Sequence, residues 1–424
     1  DSLYFQQYLS KDKAIIGRSG NGGVPERLND MRKQTADKPF QSSKRPSESL
    51  KCGFQTAFYF YGRAVLSIFG EDACTMRCQY ARTGRCGRIG YPTNKTQNQE
   101  KNMFQHVEFY PGDPILSLVE TFQADKRPEK VNLGIGIYLD EAGRLPVLSS
   151  VRAAEVARAA VAQPRSYLPM EGLEAFRHGV QRLLFGAEHP ALQEGRIATI
   201  QTLGGSGALK IGADFLARWF PEAKVYVSDP TWDNHKGIFR GAGFEVGVYP
   251  YYDPATGGLK FDEMLAFFAA LPRNSVLVLH PCCHNPTGVD LDCGQWDRVL
   301  EVIRANGLIP FMDIAYQGFG DGFEQDAYAV RRAAEIGLPL FAANSFSKNL
   351  SLYGERIGGL SVVCPTRHEA ELVFGQLKFG VRRIYSSPPA HGAFVAAAVM
   401  DTPELFAGWQ EEVTQMRERI KAMR

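Results

Sequence analysis

From Met103 onward, short continuous apolar runs alternate with longer stretches whose apolar residues recur every three to four positions. The runs Val276–His280 (VLVLH), Leu308–Met312 and Leu340–Ala343 hold almost no polar side chain, the pattern of strands buried on both faces. Val225–Val227, closed by Ser228, Asp229 and Pro230, predicts a shorter strand. The longer period predicts helices over Ala153–Ala162, Leu173–Phe185, Phe261–Leu271, Gln295–Ala305 and Tyr328–Ile336. Further helical patterns over Thr366–Phe379, Pro389–Met400 and Pro403–Arg424 run to the end. Strands alternating with helices build an α/β fold with a mostly parallel sheet, and open sheets of this kind bind ligands beyond the carboxyl ends of their strands. No internal repeat is visible.

Residues 1–102 lack this rhythm. Asn21–Arg32 and Asp37–Glu48 are polar and rich in Gly, Pro, Ser and Lys, a texture of loop or disorder. The apolar piece Phe54–Phe69 fits a helix or a strand equally well. Charge divides at the same boundary: residues 1–102 carry 17 Lys and Arg against 9 Asp and Glu, and the remainder 31 against 37. Residues 1–102 are therefore read as an unassigned extension, disordered or non-native.

Composition changes the picture little. With 424 residues, 44% hydrophobic and 22% charged, the chain has a globular composition, which excludes collagen, coiled coil and wholesale disorder. The formal net charge of +2 gives no case for a nucleic-acid or membrane partner. No apolar run reaches the ~18 residues of a spanning helix, and no secretory signal is recognisable, so a cytoplasmic location with free thiols is expected. Cys74, Cys78 and Cys86 match no metal-ligand spacing, and no metal is expected.

The candidate chemistry clusters after the predicted strands. Lys348 lies in Ser345-Phe346-Ser347-Lys348-Asn349, directly after an apolar run. Most lysines are solvated surface residues, but one desolvated here loses proton affinity and becomes a nucleophile toward carbonyls. Ser345, Ser347 and Arg356, among Gly354, Gly358 and Gly359, suit a phosphate. Gly204-Gly205-Ser206-Gly207 opens a predicted helix, Ala208–Phe220, with Ser206 as N-cap; it reads as a tight turn or as an anion site at a helix N-terminus. Asp313 at a strand end is a turn cap or a carboxylate paired with a protonated ring nitrogen. Asn285 follows another strand and offers an amide to a phenolate oxygen. Cys282 and Cys283 are read as packing. Trp232 is a core residue or a flat face for a ring.

Eight blocks in fixed order then carry a resemblance: VNLGIGIY (131–138), SYLPMEG (166–172), QTLGGSGALK (201–210), SDPTWDNHK (228–236), HPCCHNPTG (280–288), DIAYQGF (313–319), NSFSKNLSLYGERIGG (344–359) and RRIYSSPPAHG (382–392). Residues 103–424 resemble the aspartate/aromatic-amino-acid aminotransferases of pyridoxal-phosphate fold type I. Several blocks resemble the tyrosine branch, and PAHG the aspartate branch. The resemblance implies a seven-stranded, mostly parallel sheet in a large domain of about residues 150–400, with 103–149 and 401–424 in a smaller α/β domain. It implies ping-pong transfer of an amino group between Tyr, Phe, Asp or Glu and 2-oxoglutarate. Lys348 is the Schiff-base lysine and proton shuttle. Asp313 pairs with the pyridinium nitrogen, backed by His235. Tyr316 and Asn285 bond the phenolic oxygen, and Trp232 stacks on the ring. Gly205, Ser206, Ser345, Ser347 and Arg356 hold the phosphate. Tyr167 reaches the neighbouring subunit's phosphate and Arg382 a dicarboxylate's distal carboxylate, implying a homodimer with shared sites. Gly136 lies on a segment closing over substrate.

Two departures set further expectations. The family's chains begin near Met103. They also continue beyond Arg424 with a segment whose Arg clamps the substrate's α-carboxylate, so feeble cofactor binding or transamination is expected of this polypeptide. The alternatives are an aspartate-preferring enzyme, another pyridoxal-phosphate reaction such as decarboxylation, and an inactive protein of the same fold. A nicotinamide-binding loop is a poor fit, because Gly134-Ile135-Gly136 has no third Gly.

Overall fold

The structure, a computed structural model, describes residues 103–110, 112, 114–131, 136–161 and 164–424. The described residues from 114 onward belong to one compact unit and residues 103–112 to another. In the latter, residues 103–110 are exposed, with Val107 N donating to Phe104 O at 3.0 Å. The predicted element at Phe54–Phe69 and the thiols of Cys74, Cys78 and Cys86 lie outside the described residues.

The larger unit is built in chain order from α1 (Pro114–Ala124), α2 (Ser149–Ala159), α3 (Glu174–Phe185), α4 (Pro190–Gln193), β1 (Ile197–Leu203), α5 (Gly204–Trp219), β2 (Val225–Asp229), α6 (Asp233–Arg240), β3 (Val246–Pro250), β4 (Tyr252–Asp253), β5 (Gly258–Leu259), α7 (Phe261–Ala269), β6 (Val276–Leu279), α8 (Cys293–Asn306), β7 (Ile309–Ile314), α9 (Phe323–Asp326), α10 (Tyr328–Glu335), β8 (Leu340–Ser345), β9 (Ile357–Val363), α11 (Arg367–Ile384), α12 (His391–Asp401) and α13 (Pro403–Met423). Strands β4 and β5 form a small hairpin, and the other seven make one sheet in the order β1-β9-β8-β7-β6-β2-β3. All neighbouring pairs run parallel except those of β9, which is antiparallel to both β1 and β8.

The apolar runs do bury both faces. Along β6, Val276 and Val278 pack on one side and Leu277 and Leu279 on the other. In β7, Phe311 joins the first side, where α5, α6 and α11 pack, and Met312 and Ile314 the second, against α3, α8 and α12. Each such side chain removed from water contributes roughly 1.5–3 kcal/mol. Helix α8 starts at Cys293 because Asp292 and Gln295 form a capping box, with Gln295 N to Asp292 Oδ1 at 2.8 Å and Asp292 N to Gln295 Oε1 at 3.0 Å. It ends where Gly307 takes the left-handed conformation, φ 62°. Among the described residues, no helix is long and apolar enough to cross a membrane.

Candidate active site

Period-two alternation decides what faces Asp313. It lies two residues beyond Phe311 in β7, so both project to the side covered by α5 and α6. Helix α6 brings His235 to it, and His235 Nε2 hydrogen-bonds Asp313 Oδ2 at 2.9 Å. The other ring nitrogen meets Thr231 Oγ1 at 2.8 Å, so both ring nitrogens of His235 are held. Burial opposes the charge on Asp313, but the His235 hydrogen bond, with His235, His280 and Lys348 nearby, outweighs it and holds the carboxyl below its ordinary value. The result is a buried anion at a strand's carboxyl end.

Two more histidines back this pair. His280 packs 5.1 Å from His235 and 4.6 Å from His284, centroid to centroid. Burial is the main cause that lowers His280 to about 3 and His284 to about 4, so both are neutral. Ligand atoms of His235, His280 and Asp313 lie within 4.8 Å of one another, but both His235 nitrogens already have partners. Because the folded values are depressed, the unfolded chain binds more protons at mildly acidic pH. Stability is therefore full above the free histidine value of ~6.5 and falls below it by about 1.4 kcal/mol per histidine per pH unit. Urea titration of the unliganded protein should show a loss of about 2–4 kcal/mol from about pH 7 to about pH 5; an unchanged midpoint would contradict this.

Lys348 follows β8 and sits next in the site. Its Nζ lies 5.1 Å from the centroid of the Tyr316 ring. Burial lowers its proton affinity, and Arg356 adds to that, while Asp313 partly offsets it. Burial, with Asp313 and other neighbours, pushes the Tyr316 hydroxyl up to about 12, although a hydrogen bond from Asn285 pulls the other way. A cavity of about 590 Å³ opens over this group, lined among others by Gly136, Asn285, Tyr316, Tyr353 and Lys348. A half-buried amine whose proton affinity is lowered, beside a roomy cavity, suits attack on a carbonyl carbon.

Strand register explains the phosphate cradle. Because β9 runs antiparallel, its start lies at the carboxyl ends of the other strands: Ser345 pairs with Gly358, and Leu203 with Ile357. That juxtaposes Arg356, just before β9, with Ser345, Ser347 and the start of α5. Arg356 Nη1 donates to Ser347 Oγ at 3.3 Å and to Tyr353 O at 3.1 Å. Helix α5 begins at Gly204, earlier than the sequence predicted, and its N-cap is Leu203, with no side-chain cap. Ser206 is thus in the first turn rather than the cap. Gly204 N donates to Arg356 O at 3.0 Å, and a Cβ on Gly205 would lie 3.3 Å from Ser345 Cβ, so the uncapped first turn of α5 lies beside Arg356 and Ser345, where its remaining N–H groups can serve an anion.

This set fits the phosphate of pyridoxal phosphate, and Lys348 and Asp313 fit its carbonyl and ring nitrogen. A Cβ on Gly204 would lie 2.6 Å from Arg356 Nη2, and φ there is +64°. Gly204→Val should therefore displace Arg356 and weaken cofactor phosphate binding about 10–100-fold, the loss of one or two charge-assisted bonds. Equilibrium titration with pyridoxal phosphate, compared with phosphate-free pyridoxal, checks this: only the former should weaken.

The remaining predicted residues are placed as follows. Trp232 caps α6 and stands edge-on to His235, ring centroids 5.3 Å apart. A Cβ on Gly136 would lie 3.9 Å from the Tyr316 hydroxyl, and Tyr138 N donates to Tyr353 Oη at 3.1 Å. Tyr167 is 95% exposed, and Arg382, also exposed, bonds Ser386 Oγ; the structure brings neither into the cavity. Of the adjacent pair, Cys282 is buried as packing, whereas Cys283, at φ +50°, is half-buried and lines the cavity. Thr231, His280 and Asp290 went unnoticed in the sequence. Thr231 was findable, four residues before His235 at a helix start.

Comparison with known proteins agrees with this geometry. The family pattern for "Aminotransferase class I and II" matches residues 128–424. The chain is 59% identical over 323 residues to the aromatic-amino-acid aminotransferase of Escherichia coli, covering 76% of this chain and 81% of that one. A solved structure of the psychrophilic aromatic amino acids aminotransferase from Psychrobacter sp. B6, cocrystallised with aspartic acid, is 63% identical with a TM-score of 0.75, covering 76% and 81%. The aromatic-amino-acid aminotransferase of Burkholderia pseudomallei, covalently bound to pyridoxal phosphate, is 53% identical with a TM-score of 0.75 over the same shares.

Proposed function

The chain belongs to the class I and II aminotransferases, and from that membership we propose that it moves an amino group between an aromatic L-amino acid and 2-oxoglutarate, in two half-reactions at one site. The cofactor is pyridoxal 5'-phosphate. The observation that carries the reading is the half-buried Lys348 beside the cavity, its proton affinity lowered by burial, with the buried Asp313 carboxylate near it. Bound there, pyridoxal phosphate supplies an electron sink that lets the amino acid's α-proton leave.

The residues divide that work. Lys348 would hold the cofactor and, as a neutral amine, would take the α-proton and return it two atoms along, to the carbon beyond the nitrogen. Asp313, fixed by His235, keeps the ring nitrogen protonated by its negative charge. Asn285 and Tyr316 donate hydrogen bonds to the phenolic oxygen. Trp232 offers the ring a flat face. Gly205, Ser206, Ser345, Ser347 and Arg356 hold the phosphate. The Gly136 segment covers the substrate and excludes water. Residues 150–400 act as the large domain, and 103–149 with 401–424 belong to a smaller one.

We further infer a homodimer. Tyr167 and Arg382 are exposed, as groups serving a second copy's site would be in a single chain. Arg382 would then meet the distal carboxylate of 2-oxoglutarate or aspartate. Arg382→Ala should raise KM for these dicarboxylates about 10–100-fold and leave KM for tyrosine within about threefold, the loss of one charge-assisted pair. Steady-state kinetics with tyrosine and with aspartate as donor check it. Equal effects on both donors would contradict it, and an aspartate preference in the unaltered chain would favour the second reading, an aspartate aminotransferase.

A further inference from the structure

We propose that Asp290 is a positioning residue that holds Asn285 at the cofactor's phenolic oxygen. The inference rests on the role given to Asn285 above. Asn285 sits in the loop from β6 to α8, which has no regular structure to fix it. Both carboxylate oxygens of Asp290 are occupied by successive amides just before it: Cys283 N donates to Oδ2 and His284 N to Oδ1, each at 2.7 Å. Charge-assisted bonds of this length are the stronger kind.

The bend they hold is not one the chain adopts freely. Cys283 has φ +50°, where a β-carbon crowds the following carbonyl oxygen, so surrounding bonds must maintain it. The next residue is fixed at both ring nitrogens. His284 Nε2 meets Ser228 Oγ at 2.8 Å and Nδ1 meets Thr287 Oγ1 at 2.8 Å. Its ring stacks on Tyr251, centroids 3.9 Å apart and 17° from parallel. Gly288 N donates to His284 O at 2.7 Å and closes the turn around Asn285. Asn285 is thus delivered to Tyr316 from a backbone clamped at one carboxylate. Asp290 is exposed and five residues downstream in sequence. It lines the cavity, but both its oxygens are engaged by backbone.

A bond donated to the phenolic oxygen withdraws electron density and lowers the proton affinity of the lysine–cofactor nitrogen next to it. If Asp290 acts through Asn285, loosening the clamp should raise that affinity. Asp290→Asn replaces one acceptor by an N–H₂ that cannot accept, and should raise the apparent pKa of the bound cofactor's visible absorption band by about 0.5–1. It should also speed hydrogen exchange at the Cys283 and His284 amides, a readout that needs no cofactor. In the Asn285→Ala background, Asp290→Asn should shift the band no further. Should Asp290→Asn fail to fold, Asp290→Glu keeps both oxygens but displaces them by a methylene, and the same sign is expected. An unchanged band with unchanged exchange overturns the proposal. So does a shift that adds fully to that of Asn285→Ala, which would mean that Asp290 acts on cofactor or substrate directly. A wild-type chain showing no cofactor band at all would instead count against the function proposed above, and amide exchange would still test the clamp.

Discussion

Lys348→Ala lowers the rate of amino-group transfer by at least ~10,000-fold, because it removes a covalent tether and a proton carrier together. The tether holds the cofactor in reacting geometry, and the amine moves the α-proton. Neither role passes to a neighbour: Arg356 is already engaged by Ser347 Oγ and Tyr353 O, and the Tyr316 hydroxyl, pushed up to about 12, is a poor base. The same reasoning sets a pH dependence. Only the neutral amine attacks a carbonyl, and burial, with Arg356 adding and Asp313 partly opposing, lowers the Lys348 value. Cofactor attachment should thus speed up with rising pH and level off below the value for a free lysine, ~10.4. Stopped-flow absorbance checks both points. A Lys348→Ala variant within tenfold of the unaltered chain would remove Lys348 from the mechanism.

Asp313→Asn is the second large effect. The substitution keeps the shape and removes the charge. It removes the charge that keeps the ring nitrogen protonated, and losing one partner of a buried pair of this kind costs roughly 3–5 kcal/mol. At about 1.4 kcal/mol per factor of ten, transfer should slow about 100–3000-fold. The phosphate cradle is untouched, so cofactor affinity should fall far less than turnover. Asp313→Glu, which restores a charge slightly misplaced, should recover part of the rate. Equal losses in affinity and turnover would mean that Asp313 shapes the pocket without tuning the ring.

These residues were legible because their chemistry is rare where they stand. A lysine after an apolar strand, an aspartate within one, and glycines opening a helix all conflict with local packing rules, and each proved to lie at the carboxyl edge of the sheet. The strands β6, β7 and β8 were visible as apolar runs for the same reason, burial on both faces. Other features depend on partners far along the chain. The start of β9 meets β1 about 150 residues away through antiparallel register, and nothing in Ile357–Val363 states that direction. Ser206 looked like an N-cap, yet Gly204 at φ +64° lets the helix begin earlier. Asp290 stayed hidden because it acts through backbone amides, which leave no mark on side-chain pattern.

The most direct test is to incubate the chain with pyridoxal phosphate, reduce with borohydride, and locate the adduct by peptide mass. One pyridoxyl group on the peptide containing Lys348, absent from Lys348→Ala, is the result expected if the Lys348 amine is the attachment point. No adduct, or label spread evenly over surface lysines, would contradict it.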